Sequence, residues 1–131
     1  MSNHATSNFE IKNWEEQPYH EAEDGTKLVR ASVTATYSGD IVGESTLEYL
    51  MYYGAETVRF IGLERVTGRL GDRSGSFVLQ HDGVYADGEA QGAFTVVDGS
   101  GTDDLRGLRG TGNLGAQHGS EGNVTLDYDF V

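Results

Sequence analysis

The stretch Val58-Arg59-Phe60-Ile61-Gly62-Leu63-Glu64-Arg65-Val66, continued after a turn by Phe77-Val78-Leu79-Gln80-His81-Asp82-Gly83, decides the fold. Residues two apart share a face of a β-strand, so a period of two separates an inner from an outer side. Arg59 and Arg65 share one parity and belong in water, which puts Val58, Phe60, Gly62, Glu64 and Val66 inside. By the same rule Phe77, Leu79 and His81 point inward, while Ser76, Gln80 and Asp82 point out. Two ionisable groups, Glu64 and His81, therefore fall on an otherwise apolar inner face.

The alternation continues in both directions. Ser7 to Trp14 reads as a first strand with Phe9 and Ile11 on one face. Glu15 to Thr26 is acidic, holds the single proline (Pro18), and reads as a long loop. Lys27 to Tyr37 buries Val29, Ala31, Val33, Ala35 and Tyr37. After the turn Ser38-Gly39-Asp40, the run Ile41 to Tyr53 buries Ile41, Leu47, Tyr49, Met51 and Tyr53. Val84 to Val97 holds one strand or two short ones, with Ala90, Gly92, Phe94 and Val96 in register. Asp98 to Asp104 is a polar turn. Leu105 to His118 is glycine-rich and extended, with Leu108, Leu114, Ala116 and His118 on one side. Val124, Leu126, Tyr128 and Phe130 close the chain facing in.

About eight strands joined by short turns, with no helical-period segment to cover a sheet, imply an all-β chain closed as an antiparallel up-and-down barrel. An open sandwich is the alternative, and closure is preferred because it leaves no unpaired edges. The 131 residues suit one domain, 1–131. A net charge of −12 argues against nucleic acid and anionic membranes as partners, since both need a basic footprint. No cysteine is present, the start is polar, and no run is apolar enough for a membrane-spanning helix, so a cytoplasmic location is expected.

Several motifs fail on context. Gly110-Thr111-Gly112-Asn113-Leu114-Gly115 has the glycine spacing of a dinucleotide-binding turn, but Ala116-Gln117-His118-Gly119-Ser120 cannot open the helix that must follow. Asp98-Gly99-Ser100-Gly101-Thr102 lacks the mid-loop glycine and closing glutamate of a calcium loop. His81, His118 and Glu64 show no metal-ligand spacing, so neither metal nor cofactor is expected.

Charged or titratable groups on an apolar face are costly unless paired. Glu64, His81 and His118 then either bond one another or the tyrosines and staple the barrel, or form an acid–base set in a dry lumen. Read as a site, the lumen has Glu64 and His81 as catalytic candidates. His118, Tyr37, Tyr49, Tyr53, Phe60, Phe77, Phe94 and Tyr128 are its ligand-binding candidates. Trp14 reads as core or rim packing.

The segment Gly99-Ser100-Gly101-Thr102-Asp103-Asp104-Leu105-Arg106-Gly107-Leu108-Arg109-Gly110 resembles the glycine-rich stretch of allene oxide cyclase and dirigent barrels. Nearly the whole chain more closely resembles a bacterial family of unknown function, domain-of-unknown-function family 3224. Tyr37-Ser38-Gly39-Asp40, Glu48-Tyr49-Leu50, Gly62-Leu63-Glu64-Arg65-Val66-Thr67-Gly68, Gly75-Ser76-Phe77-Val78-Leu79-Gln80-His81 and Leu126-Asp127-Tyr128-Asp129-Phe130 carry the resemblance. It implies an eight-stranded barrel with an apolar pocket, often in a homo-oligomer. The cyclases' catalytic residues match no positions here.

Three functions stay open: a cofactor-free isomerase or cyclase acting on a hydrophobic small molecule, a carrier of such a molecule, or a filled barrel that acts through its surface.

Overall fold

A computed structural model describes residues 3–116 and 121–131. Eight strands form one closed antiparallel barrel in chain order, β1 pairing with β2 and so on round to β8, which returns to β1. They are β1 (Asn3–Glu21), β2 (Lys27–Gly39), β3 (Ile41–Tyr53), β4 (Val58–Leu70), β5 (Arg73–Ala86), β6 (Glu89–Val96), β7 (Leu108–Ala116) and β8 (Glu121–Phe130). The sandwich alternative is excluded by the β1–β8 ladder, which runs from Asn3 opposite Tyr128 to Glu10 opposite Glu121.

Parity sorts the side chains as expected. Val29, Ala31, Val33 and Ala35 are buried on β2, while Arg59 and Arg65 are exposed on β4. The barrel stays narrow because bulky inner residues face glycines on the adjacent strand. A Cβ on Gly83 would lie 2.3 Å from the Phe60 ring, one on Gly112 2.5 Å from Phe94, and one on Gly122 2.4 Å from Phe9. These inner glycines are the space that the aromatic rings occupy.

Two expectations need correction. Glu15 to Glu21 is not loop but the continuation of β1, pairing with β2 as far as Glu21 opposite Lys27. Its composition misleads because this half of β1 overhangs the barrel. Among the described residues its other edge carries no strand beyond Glu10, so both faces meet water and no alternation is imposed. Pro18, which has no N–H to give, is tolerated on such an edge. Register shifts after Ile11 and after Pro18 break the period as well, and the first turns Trp14 to the inner side, opposite Val33.

The Val84 to Val97 stretch is the end of β5, a two-residue hairpin turn and β6. Asp87 and Gly88 at the turn have φ of 55° and 79°, the left-handed pair that a tight hairpin requires. Leu105, expected in an extended run, instead belongs to a 3-10 turn, Asp103–Leu105, and is completely buried.

That turn closes one end of the barrel. β6 reaches β5 only from Leu79 onward, and the 97–107 segment covers the rest. Thr102 Oγ1 accepts from the Ser76 N–H at 2.9 Å, and Ser100 Oγ from the Val78 N–H at 3.0 Å, so hydroxyls replace missing strand carbonyls. Beneath the turn Ile41, Val66, Leu70, Phe77, Leu79, Val96, Leu108 and Leu126 are 0–2% exposed and fill the lumen. Each such side chain contributes about 1.5–3 kcal/mol by leaving water.

Candidate functional site

The other half of the lumen is open. A second apolar cluster (Val29, Ala31, Val33, Leu47, Met51 and Phe60) lies along this half without filling it. The space left is a cavity of about 420 Å³. It is walled by Val33, Ala35, Leu47, Met51 and Phe60 with Phe9, Ile11, Tyr49 and Leu114, and rimmed by Trp14, Tyr53 and Tyr85. A more polar recess outside shares Phe9, Tyr37, Ala90 and Ala116 with it.

Glu64 and His81 lie at the boundary between the filled and open halves, each 2% exposed. Register places them. Glu64 stands between Leu47 on β3 and Leu79 on β5, and His81 between Gly62 on β4 and Phe94 on β6. His81 Nε2 is 2.7 Å from Glu64 Oε1, and the Tyr37 hydroxyl donates to Glu64 Oε2 at 2.9 Å. One carboxylate thus ties β2, β4 and β5 together. The His81 ring packs 5.4 Å from Phe94 and 6.1 Å from Tyr49 between centroids.

His81 Nδ1 is buried and has no hydrogen-bond partner among the described residues. A proton there would be buried without an acceptor, whereas a bare lone pair costs less. The favoured arrangement carries the proton on Nε2 and donates it to Glu64. Glu64 is then a carboxylate receiving one donor on each oxygen. Burial, followed by the adjacent Glu64 charge, pushes the Tyr37 and Tyr49 phenols well above the ordinary tyrosine range. Both stay protonated donors. The Tyr49 hydroxyl has no partner among the described residues.

At the mouth, Glu16 Oε2 accepts from Trp14 Nε1 and from the Tyr53 hydroxyl, each at 2.7 Å. The Lys27 ammonium sits 4.8 Å from the centre of the Tyr53 ring. This latch ties the overhang of β1 to β3 across the entrance.

Of the ligand candidates, Tyr37, Tyr49, Tyr53 and Phe60 line the cavity together with Glu64 and His81. Phe94 backs His81 from behind. Phe77 and Tyr128 belong to the filled half, where Tyr128 packs edge-on against Phe130. His118 lies outside the described residues. Trp14 and Tyr85 were absent from the candidate set. The bulge hid the first, and the second shares the parity of His81 four residues further along β5. No three His, Asp or Glu side chains among the described residues converge as a metal site.

The model of the family described as "Protein of unknown function (DUF3224)" matches residues 5–128. The chain belongs to the DUF3224 family. A crystal structure of a DUF3224 protein of unknown function from Shewanella oneidensis MR-1 superposes with a TM-score of 0.80 at 26% identity, covering 100% of this chain and 99% of that one. No curated protein matches. The DUF3224 barrel is thus shared, and its function is not supplied by these likenesses.

Proposed function

We propose that this protein binds a compact, mainly apolar small molecule in the open half of its barrel. The observation that carries the reading is the cavity of about 420 Å³, apolar on nearly every side, with a hydrogen-bonded carboxylate at its floor. Its size falls in the range of small-molecule sites, where a few placed polar groups set orientation. A carrier in the cytoplasm needs nothing more.

The floor also defines the ligand's polar end. Glu64 brings a buried negative charge to a chain of net charge −12, so a carboxylate ligand is disfavoured and a neutral or amine-bearing one is favoured. Tyr49, at the cavity wall, offers a hydroxyl to that end.

The test is displacement of a neutral fluorescent probe, N-phenyl-1-naphthylamine, by an alcohol, an amine and a carboxylic acid built on one carbon skeleton. The acid is expected to compete about tenfold or more weakly, and Glu64→Gln should narrow that gap. Failure of the probe and all three competitors to bind would overturn the reading in favour of a filled barrel acting through its surface.

A second reading is favoured by the 2.7 Å His81–Glu64 contact and the bare Nδ1: a cofactor-free isomerase or cyclase. Glu64 or His81 would move a proton, and a tyrosine hydroxyl would steady developing charge. The enclosing wall would hold a flexible substrate in a reactive shape. Kinship with allene oxide cyclase and dirigent barrels belongs to this reading. Its mark would be a His81→Phe variant that binds ligand but no longer turns it over.

A further inference from the structure

The outer face of β3 and β4 carries what the outside of a soluble barrel normally avoids. Tyr52, Leu50, Ile61 and Leu63 are 46%, 48%, 53% and 55% exposed and lie side by side. Leu50 pairs directly with Ile61, Tyr52 with Arg59, and Glu48 with Leu63. Tyr19 and Pro18 on the overhang of β1 extend the patch beside Leu50. A contiguous apolar block with a charged border marks an interaction surface.

The borders show what fits it. Along the Leu50–Ile61 row, Arg30 flanks on β2 and Asp82 on β5. Arg30 is ion-paired to Glu48 and Asp82 to Arg59, all four well exposed. A two-fold axis parallel to the strands, running between β3 and β4, exchanges the two sides of this pattern. A second copy laid face to face would set Arg30 against Asp82 at both ends, Leu50 against Ile61 in the middle, and Arg59 over the ring of Tyr52. Sheets pack face to face within about 30° of alignment, which keeps these rows in reach. The patch is complementary to itself in both charge pattern and apolar content, as an isologous interface must be.

The overall charge favours the same face. Four of the nine basic residues, Arg30, Arg59, Arg65 and Arg69, stand on it against Glu44, Glu48 and Asp82. On a chain of net −12, this is the side on which two copies repel least.

We infer that the protein forms a two-fold dimer through the outer face of β3 and β4, with Arg30 of each copy meeting Asp82 of the other. The cavity opens at the barrel end, so both mouths stay free and the inference is independent of what the cavity binds.

Charge exchange tests the pairing. Arg30→Glu alone would set two carboxylates against each other at both ends of the interface, and Asp82→Arg alone would do the same with two guanidinium groups. A one-to-one mixture of the two variants restores an opposite pair: one end carries both exchanged charges and the other end the original ones. Sedimentation velocity should give wild type at twice the 14.2 kDa chain mass at about 100 µM, each variant alone largely monomeric, and the mixture dimeric again. The pairs to Glu48 and Arg59 within each chain are lost equally alone and mixed, so they cannot produce the recovery. Ile61→Asp should be monomeric with an unchanged β-sheet circular dichroism spectrum. The inference is overturned by a monomeric wild type, whose patch then serves another partner. It is equally overturned by a trimer, by single variants that stay dimeric, or by a mixture no more dimeric than its components.

Discussion

The two halves of this barrel are made of the same strands and differ in what stands inside them. Toward the 97–107 turn, Phe77, Leu79, Leu105 and Leu126 meet across the lumen and leave no room. Toward the overhang of β1, Val33, Ala35 and Met51 line a wall that does not meet its opposite side. A cavity forms beside the small inner residues Val33 and Ala35 of β2, where the described side chains do not meet across the lumen. Glu64 and His81 sit where the two regimes meet, and there a buried polar group can be fixed from one side and reached from the other.

The sharpest way to break this comparison is to truncate one phenylalanine on each side. Phe77→Ala in the filled half should cost about 3–5 kcal/mol of stability in urea unfolding, because its neighbours are pinned and leave a void. Phe60→Ala should cost clearly less, since the ring already borders empty space and its loss enlarges a cavity that exists. Equal losses would show that the open half is packed as tightly as the closed one.

A pair of hydroxyl deletions brings the comparison to the boundary itself. Tyr37→Phe removes a hydrogen bond to a buried carboxylate and should cost about 1.5–3 kcal/mol. Tyr49→Phe removes a hydroxyl with no partner among the described residues and should change stability by less than about 0.5 kcal/mol. If Tyr49→Phe were the costlier, the cavity wall would be part of the structural frame.

Alkaline titration reads the same boundary through its phenols. Burial and the Glu64 charge raise the folded-state ionisation of Tyr37 and Tyr49 above the ordinary value of 10.0. A raised value in the folded state means their contribution is intact below about pH 10, where unfolded tyrosine begins to ionise. It is then lost as pH rises toward the folded values. Stability should fall by up to about 1.4 kcal/mol per pH unit for each phenol in that window. In tyrosinate absorbance, both phenols should titrate only with unfolding, and early ionisation of either would contradict its burial.

Much of the fold was legible because parity is a local property. From Lys27 to His81 no register shift interrupts the strands, and every inner residue named from alternation faces the lumen. Legibility failed where the physics is not local. The bulge after Ile11 reverses parity, so alternation alone could not tell which face Trp14 takes. Pro18 and the acids of Glu15–Glu21 read as loop because an edge strand in water carries no alternation. Asp87-Gly88 decides between the one-strand and two-strand readings of Val84 to Val97. Leu105 is buried by a turn whose own sequence is polar.

For the site, parity tells which side of a strand a residue faces but not how far along the barrel axis it lies. Glu64 and Phe77 are both interior, yet only the first reaches the cavity. That depth depends on the stagger between strands, and so does the meeting of Tyr37 with Glu64 across a gap of 27 residues.

Among the described residues the edge of β1 beyond Glu10 is unpaired, and this has a consequence for the protein when many copies are crowded together. An unpaired edge invites other chains to add strands and grow into fibrils. Here Pro18 removes a donor from the template, two register shifts spoil its spacing, and Glu15, Glu16 and Glu21 repel an identical edge. The composition that disguised this segment as a loop also makes it a poor seed for aggregation, and the barrel can keep one side uncovered without polymerising there.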